Sequence, residues 1–91
     1  MNPAMPAHRL GDHIERARRL LRSLAERRQK LGLSQTAVAA RMGTSQSALA
    51  RLEGGESDPR ISTVERYALA VGQELAHRSV SRDRSSTSLA R

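Results

Sequence analysis

The chain has 91 residues, enough for one small domain built around a single core. Its 16 Lys plus Arg against 9 Asp plus Glu give a formal charge of +7, with Lys30 the only lysine; a polyanion is the first partner to consider, although charge alone equally fits an arginine-rich composition. The lack of cysteine excludes disulfides, thiolate metal sites and cysteine nucleophiles, and with Tyr67 the sole aromatic residue, base-stacking platforms for single-stranded nucleic acid are disfavoured.

Residues 1–13 lack the apolar run of a signal peptide, and no later stretch approaches the roughly 20 apolar residues of a membrane span. A soluble, cytoplasmic protein without a membrane partner is expected. Residues 1–11 hold two prolines and little periodicity, and residues 81–91 hold four serines and three arginines with little that is apolar; both ends are expected to be disordered. Between them, apolar residues recur at helical spacing and predict an all-α domain over residues 12–80.

The first helix is predicted to start at Asp12, with Glu15 completing a capping box. Its inward stripe is Ile14, Ala17, Leu21, Leu24 and Leu31, in which Arg28 occupies the rung between the last two. Gly32 is the expected stop, because glycine accepts the left-handed backbone that helix ends commonly need. Ser34 then caps a second helix over residues 35–42, with Val38, Ala39 and Met42 on one face and Gly43 closing it. About two turns of helix cannot stand alone, so this element must pack. A third helix follows over residues 45–53, capped by Thr44 or Ser45, with Ala48, Leu49 and Leu52 inward and Gly54 and Gly55 ending it. After residues 54–60, Ser62 with Glu65 suggests a fourth helix over residues 63–71, turning Val64, Tyr67, Ala68 and Val71 inward and stopped by Gly72. Residues 73–80 fit either a fifth helical turn or a short strand, since neither period prevails over so few residues.

Two short helices joined by a tight glycine turn have the arrangement of a helix-turn-helix. From residue 24 to residue 71, "LAERRQKLGLSQTAVAARMGTSQSALARLEGGESDPRISTVERYALAV" resembles the XRE-type helix-turn-helix domain of phage repressors and Cro proteins. The most specific part is "LSQTAVAARMGTSQSALARLEGG", where the S-Q opening, small Ala39, turn Gly43, T-S-Q opening and L-E-G-G close keep the family's order and spacing. The resemblance implies a small lambda-repressor-like bundle of four to five helices with its core over residues 24–72, and a transcriptional regulator, a dimeric repressor, that lays helix 45–53 in the major groove of double-stranded DNA in the bacterial nucleoid.

On that reading Gln46, Ser47 and Arg51 are the base-reading candidates. Glutamine suits adenine, arginine suits the O6 and N7 acceptors of guanine, and serine discriminates weakly. Ala50, also outward, would either meet a thymine methyl or keep the approach clear. Gln35 and Ser45, at helix N-termini, are candidates for backbone phosphates, where free amides and the helix dipole favour anions; Arg60 and Arg41 are further phosphate candidates, with Glu56 and Asp58 working against Arg60. The family pairs an arginine at the position of Arg28 with a glutamate at that of Glu53, which implies a structural salt bridge between the first helix and the end of the third.

The dimer surface has two candidates: residues 73–80, as strand or helix, and the N-terminal extension with Leu10, Ile14, Leu20 and Leu21, which either covers the domain or meets a partner. A different reading makes the chain an antitoxin of the HigA type, which binds a toxin protein through a tail or extra helix while repressing its own promoter. A third keeps the fold as a protein-interaction module without DNA, against which Gln35, Gln46 and Arg51 argue. His8, His13 and His77 show no metal-ligand spacing, no serine lies near a His-Asp pair, and no phosphate-cradling glycine loop is present, so neither an enzyme nor a cofactor is expected.

Overall fold

Gly43, with φ 74°, sits in the left-handed region that β-carbon-bearing residues avoid, and the second helix stops there. Its N–H donates to the Ala40 carbonyl at 3.1 Å and that of Thr44 to the Ala39 carbonyl at 3.0 Å, the paired bonds of a Schellman motif. The computed structural model of the chain describes residues 5–56 and 58–89, and four helices account for most of them: α1 Met5–Lys30, α2 Gln35–Met42, α3 Gln46–Glu53 and α4 Ile61–Leu89. No heavy atom lies within 4 Å of where a Gly43 β-carbon would stand, so only backbone strain opposes a side chain. Gly43→Val is therefore expected to cost about 1–2 kcal/mol, read as a lower urea midpoint with an unchanged slope.

Both short helices are capped at their first turn by serine. Ser34 Oγ accepts the Ala37 N–H at 3.0 Å and Ser45 Oγ accepts the Ala48 N–H at 3.1 Å, each satisfying a donor that the helix leaves open. Neither helix would persist alone at eight residues; packing holds them. Val38, Ala39 and Met42 of α2 and Leu49 of α3 are buried against Ala17 and Leu21 of α1, Leu33 of the following turn, and Val64, Tyr67, Ala70 and Val71 of α4. Each large apolar side chain in that list contributes about 1.5–3 kcal/mol by leaving water.

Several local expectations need correction. Asp12 and Ser62 lie inside α1 and α4 rather than capping them, because α1 runs back to Met5 and α4 begins at Ile61, where Thr63 and Val64 both donate to the Arg60 carbonyl. Gly72 does not end α4, and residues 73–80 continue the helix, so among the described residues the C-terminal element is neither a strand nor a separate fifth helix. A mid-helix glycine costs about 1 kcal/mol but does not by itself stop a helix. Helical backbone extends over residues 5–11 and 81–89, while disorder at the two ends stands as an expectation from composition; residues 1–4 and 90–91 lie outside the described residues. Ala68 is exposed and Ala70 is buried in its place. Of the apolar residues in the N-terminal extension, Leu21 is buried and Ile14 half-buried, whereas Leu20 is 47% exposed. Among the described residues, no helix is long and apolar enough to cross a membrane.

Candidate nucleic-acid interface

The solvent side of α3 is polar and open. Leu49 is fully buried, Ala48, Ala50, Leu52 and Glu53 are half-buried, and Gln46, Ser47 and Arg51 are exposed. Gln46 and Arg51 are five residues apart, about 7.5 Å along the helix at 1.5 Å per residue, or roughly one and a half turns.

A hydrogen-bonded network holds that face from beneath. Arg28, only 7% exposed, donates from Nε to Glu53 Oε2 at 2.9 Å, from Nη2 to Glu53 Oε1 at 3.1 Å and from Nη1 to the Leu33 carbonyl at 2.8 Å. The fork geometry of guanidinium suits such a bidentate contact with carboxylate. The same carboxylate accepts the Tyr67 hydroxyl on Oε2 and the Gln35 amide on Oε1, the latter at 2.8 Å. Gln35 in turn accepts through Oε1 from Gln46 Nε2 at 2.6 Å. The buried Arg28–Glu53 pair of α1 and α3 is thus continuous, through α2, with the first exposed residue of α3.

The titration behaviour follows from these contacts. Burial alone would raise the Glu53 carboxyl, but the donors from Arg28, Tyr67 and Gln35 outweigh it and hold the group below its ordinary value. The hydrogen bonds that Arg28 donates to Glu53 raise the guanidinium above its ordinary value, against the opposing effect of burial. Tyr67 is pushed well above a normal phenol by burial and by the neighbouring carboxylate, so it stays a hydroxyl donor. No described buried side-chain oxygen or nitrogen is left without a partner.

Residues 24–77 match the family model described as helix-turn-helix. The chain belongs to this helix-turn-helix family, of the XRE type. Antitoxin HigA1 from Mycobacterium tuberculosis, in strains CDC 1551 / Oshkosh and ATCC 25618 / H37Rv, is 44% identical to it over 64 residues in each case, an overlap of 70% of this chain. The chain spans 43% of the length of these curated relatives. No solved structure matches it significantly.

Within this helix-turn-helix, α2 and α3 are the two short helices and Gly43 the turn between them. The residues singled out for phosphate contact occupy different situations. Gln35 is half-buried and bonded to both Glu53 and Gln46, while the Ser45 side chain is engaged in capping α3. Arg41 Nε donates to Glu74 Oε1 of α4 at 3.1 Å, so part of its charge is already met. Arg60 is exposed, and Asp58 beside it is paired with Arg18 of α1. Three further side chains escape the sequence reading: Tyr67 as a donor to Glu53, Glu74 as the partner of Arg41, and Arg78, which donates to the Gly32 carbonyl at 2.8 Å and the Leu31 carbonyl at 3.2 Å beyond the end of α1. A lone inward tyrosine was the available signal for the first, since a buried phenol normally finds an acceptor.

Proposed function

We propose that the protein is a sequence-specific double-stranded DNA-binding transcriptional regulator, a dimeric repressor that places α3 in the major groove and reads bases with Gln46, Ser47 and Arg51. The observation that carries this reading is the network ending at Gln46. An ionised carboxylate only accepts, so Glu53 obliges Gln35 to turn its amide N–H inward and its carbonyl outward. That carbonyl obliges Gln46 to offer its own N–H to Gln35. Gln46 then retains one N–H and its carbonyl oxygen, side by side and with fixed polarity. Adenine offers the complement, an N7 acceptor next to an N6 donor, whereas guanine offers two acceptors. A Gln46 held this way favours adenine and disfavours guanine.

Arg51, exposed about one and a half turns further along, has the two parallel donors that suit guanine O6 and N7. One helix of eight residues reads few bases, so recognition requires two copies on half-sites about 34–36 Å apart. Gln35, Ser45, Arg60 and Arg41 flank α3 as contributors to backbone contact. Footprinting on the DNA upstream of the protein's own gene is expected to show two protected segments one helical turn apart, related by inverted sequence. A single protected segment would remove the dimer from the proposal, and no protection at any concentration would remove the DNA reading.

A second reading is favoured by the 44% identity to antitoxin HigA1: the same helix-turn-helix represses its own promoter while another surface of the chain neutralises a toxin. Copurification of the untagged chain with the product of an adjacent gene supports it. A chain that purifies alone from cells expressing that neighbour argues against it.

A further inference from the structure

Between α3 and the start of α4 lies an open cleft of about 400 Å³ whose rim carries Arg51, Arg60 and Arg66 and whose floor is formed by Leu49, Leu52 and Pro59. Leu49 and Pro59 are buried and all three arginines are exposed. Three salt bridges occur among the described residues, Arg18–Asp58, Arg28–Glu53 and Arg41–Glu74, and none of them involves a rim arginine. The one acidic residue of the cleft, Asp58, is engaged by Arg18 from α1. Three arginines with no salt bridge among the described residues therefore line one concave site, and like charges gathered in this way favour an anion.

We infer that this cleft is a phosphate-binding site and that Arg66, on the first turns of α4, grips a phosphodiester of the DNA backbone beside the bases met by α3. The inference rests on the DNA-binding reading and adds to it a residue outside the helix-turn-helix itself. Guanidinium matches the phosphate oxygens bidentately. The cleft adjoins Arg51 on α3, so a strand whose base edges meet that helix runs its backbone past the rim. Arg66 projects from a helix whose next residue, Tyr67, is fully buried and bonded to Glu53, which gives its contact a fixed place relative to α3. Arg66 is then a register-setting residue: it strengthens binding to every duplex and reads no base.

The test is the salt dependence of binding by the full chain carrying Arg66→Gln, on the DNA upstream of its own gene and on an unrelated duplex. Each phosphate contact contributes about 0.9 to the slope of log affinity against log salt. The variant is expected to lose about 0.9 of that slope on both duplexes, with the same fold-loss of affinity on each, and Arg66→Lys is expected to restore most of the slope. An unchanged slope overturns the inference. So does a slope unchanged on DNA when inorganic pyrophosphate raises the melting temperature of the wild type and not of Arg66→Gln, which would assign the cleft to a free phosphate anion instead. Because the slope is measurable on unrelated DNA, its outcome is separable from sequence preference: a wild type that binds both duplexes equally sinks the specific-regulator reading while leaving the Arg66 contact open to the same measurement. Circular dichroism spectra that superimpose would place any change at the surface, where Arg66 lies.

Discussion

Glu53→Ala is expected to destabilise the protein by about 3–5 kcal/mol and to lower its melting temperature by roughly 15 °C or more. The magnitude comes from what is left behind. Arg28 is buried with two of its donors aimed at Glu53, and Tyr67 and Gln35 share the same carboxylate. Alanine would strand a buried cation and a buried hydroxyl together, and an uncompensated buried charge costs far more than the intact pair gains. Glu53→Gln, which keeps the shape but removes the charge, is expected to move the melting temperature in the same direction by less. Replacing both members, Arg28→Met with Glu53→Leu, is expected to recover much of the loss, since no unpaired charge then remains. A Glu53→Ala melting curve within two or three degrees of wild type, on the order of 0.5 kcal/mol, would mean that the network is not holding the helices.

The same carboxylate gives the fold a defined acid sensitivity. The Glu53 carboxyl titrates lower in the folded chain than its ordinary 4.5, so the unfolded chain binds a proton there first as the pH falls. Its stabilisation is complete above that ordinary value and is lost as the pH falls through it and below. Urea midpoints measured on the way down are expected to decline over that window in the wild type, and to decline less in Glu53→Gln.

Arg51→Ala is expected to reduce the preference for specific over unrelated DNA by roughly 5-fold to 150-fold, the equivalent of losing one bidentate base contact worth about 1–3 kcal/mol. Stability should hardly move, because Arg51 is exposed and has no salt-bridge partner among the described residues; surface changes of this kind usually fall within about 0.5 kcal/mol. The two variants separate the two parts of the account. Glu53→Ala tests what holds α3 in place, and Arg51→Ala tests what α3 does. A variant that keeps the full preference would take Arg51 out of the reading surface.

The elements best read from the sequence are those whose boundaries are set locally. α2 and α3 each begin after a serine that caps its own helix, and α2 ends at a glycine with left-handed backbone, so short-range chemistry fixes their ends within a residue. α4 is decided differently. Its start follows the Arg60 carbonyl after buried Pro59, and its length passes Gly72 because nothing in the following residues favours another conformation strongly enough to stop it. The exchange of Ala68 for Ala70 has a related cause: periodicity gives the spacing of the buried residues on α4, while the position of α2 decides how the buried sector is rotated.

The helical period around Leu49 turns Ser47 and Arg51 outward, two residues to either side of it; Gln46, three residues before Leu49, enters the set only through the resemblance to a family. Contacts that cross the fold are not legible from that period. Gln35 and Glu53 are 18 residues apart, Tyr67 and Glu53 are 14 apart, and Arg41 and Glu74 are 33 apart. Their meeting depends on how the helices pack. The Arg28–Glu53 pair is legible in the sequence only through resemblance to a family, with the missing rung in the α1 stripe as its local trace. Gln35 carries a contact that residue type did not indicate: besides the phosphate contact its place at a helix N-terminus suggests, its side chain accepts from Gln46.

The most direct measurement is the affinity of the wild-type protein for the DNA upstream of its own gene relative to an unrelated duplex, taken across a salt series. A preference of about a thousandfold or more is expected, with both affinities falling as salt rises and the preference persisting where non-specific binding has largely gone. Equal affinity for both duplexes at every salt concentration, or no binding to either, would contradict the specific-regulator reading.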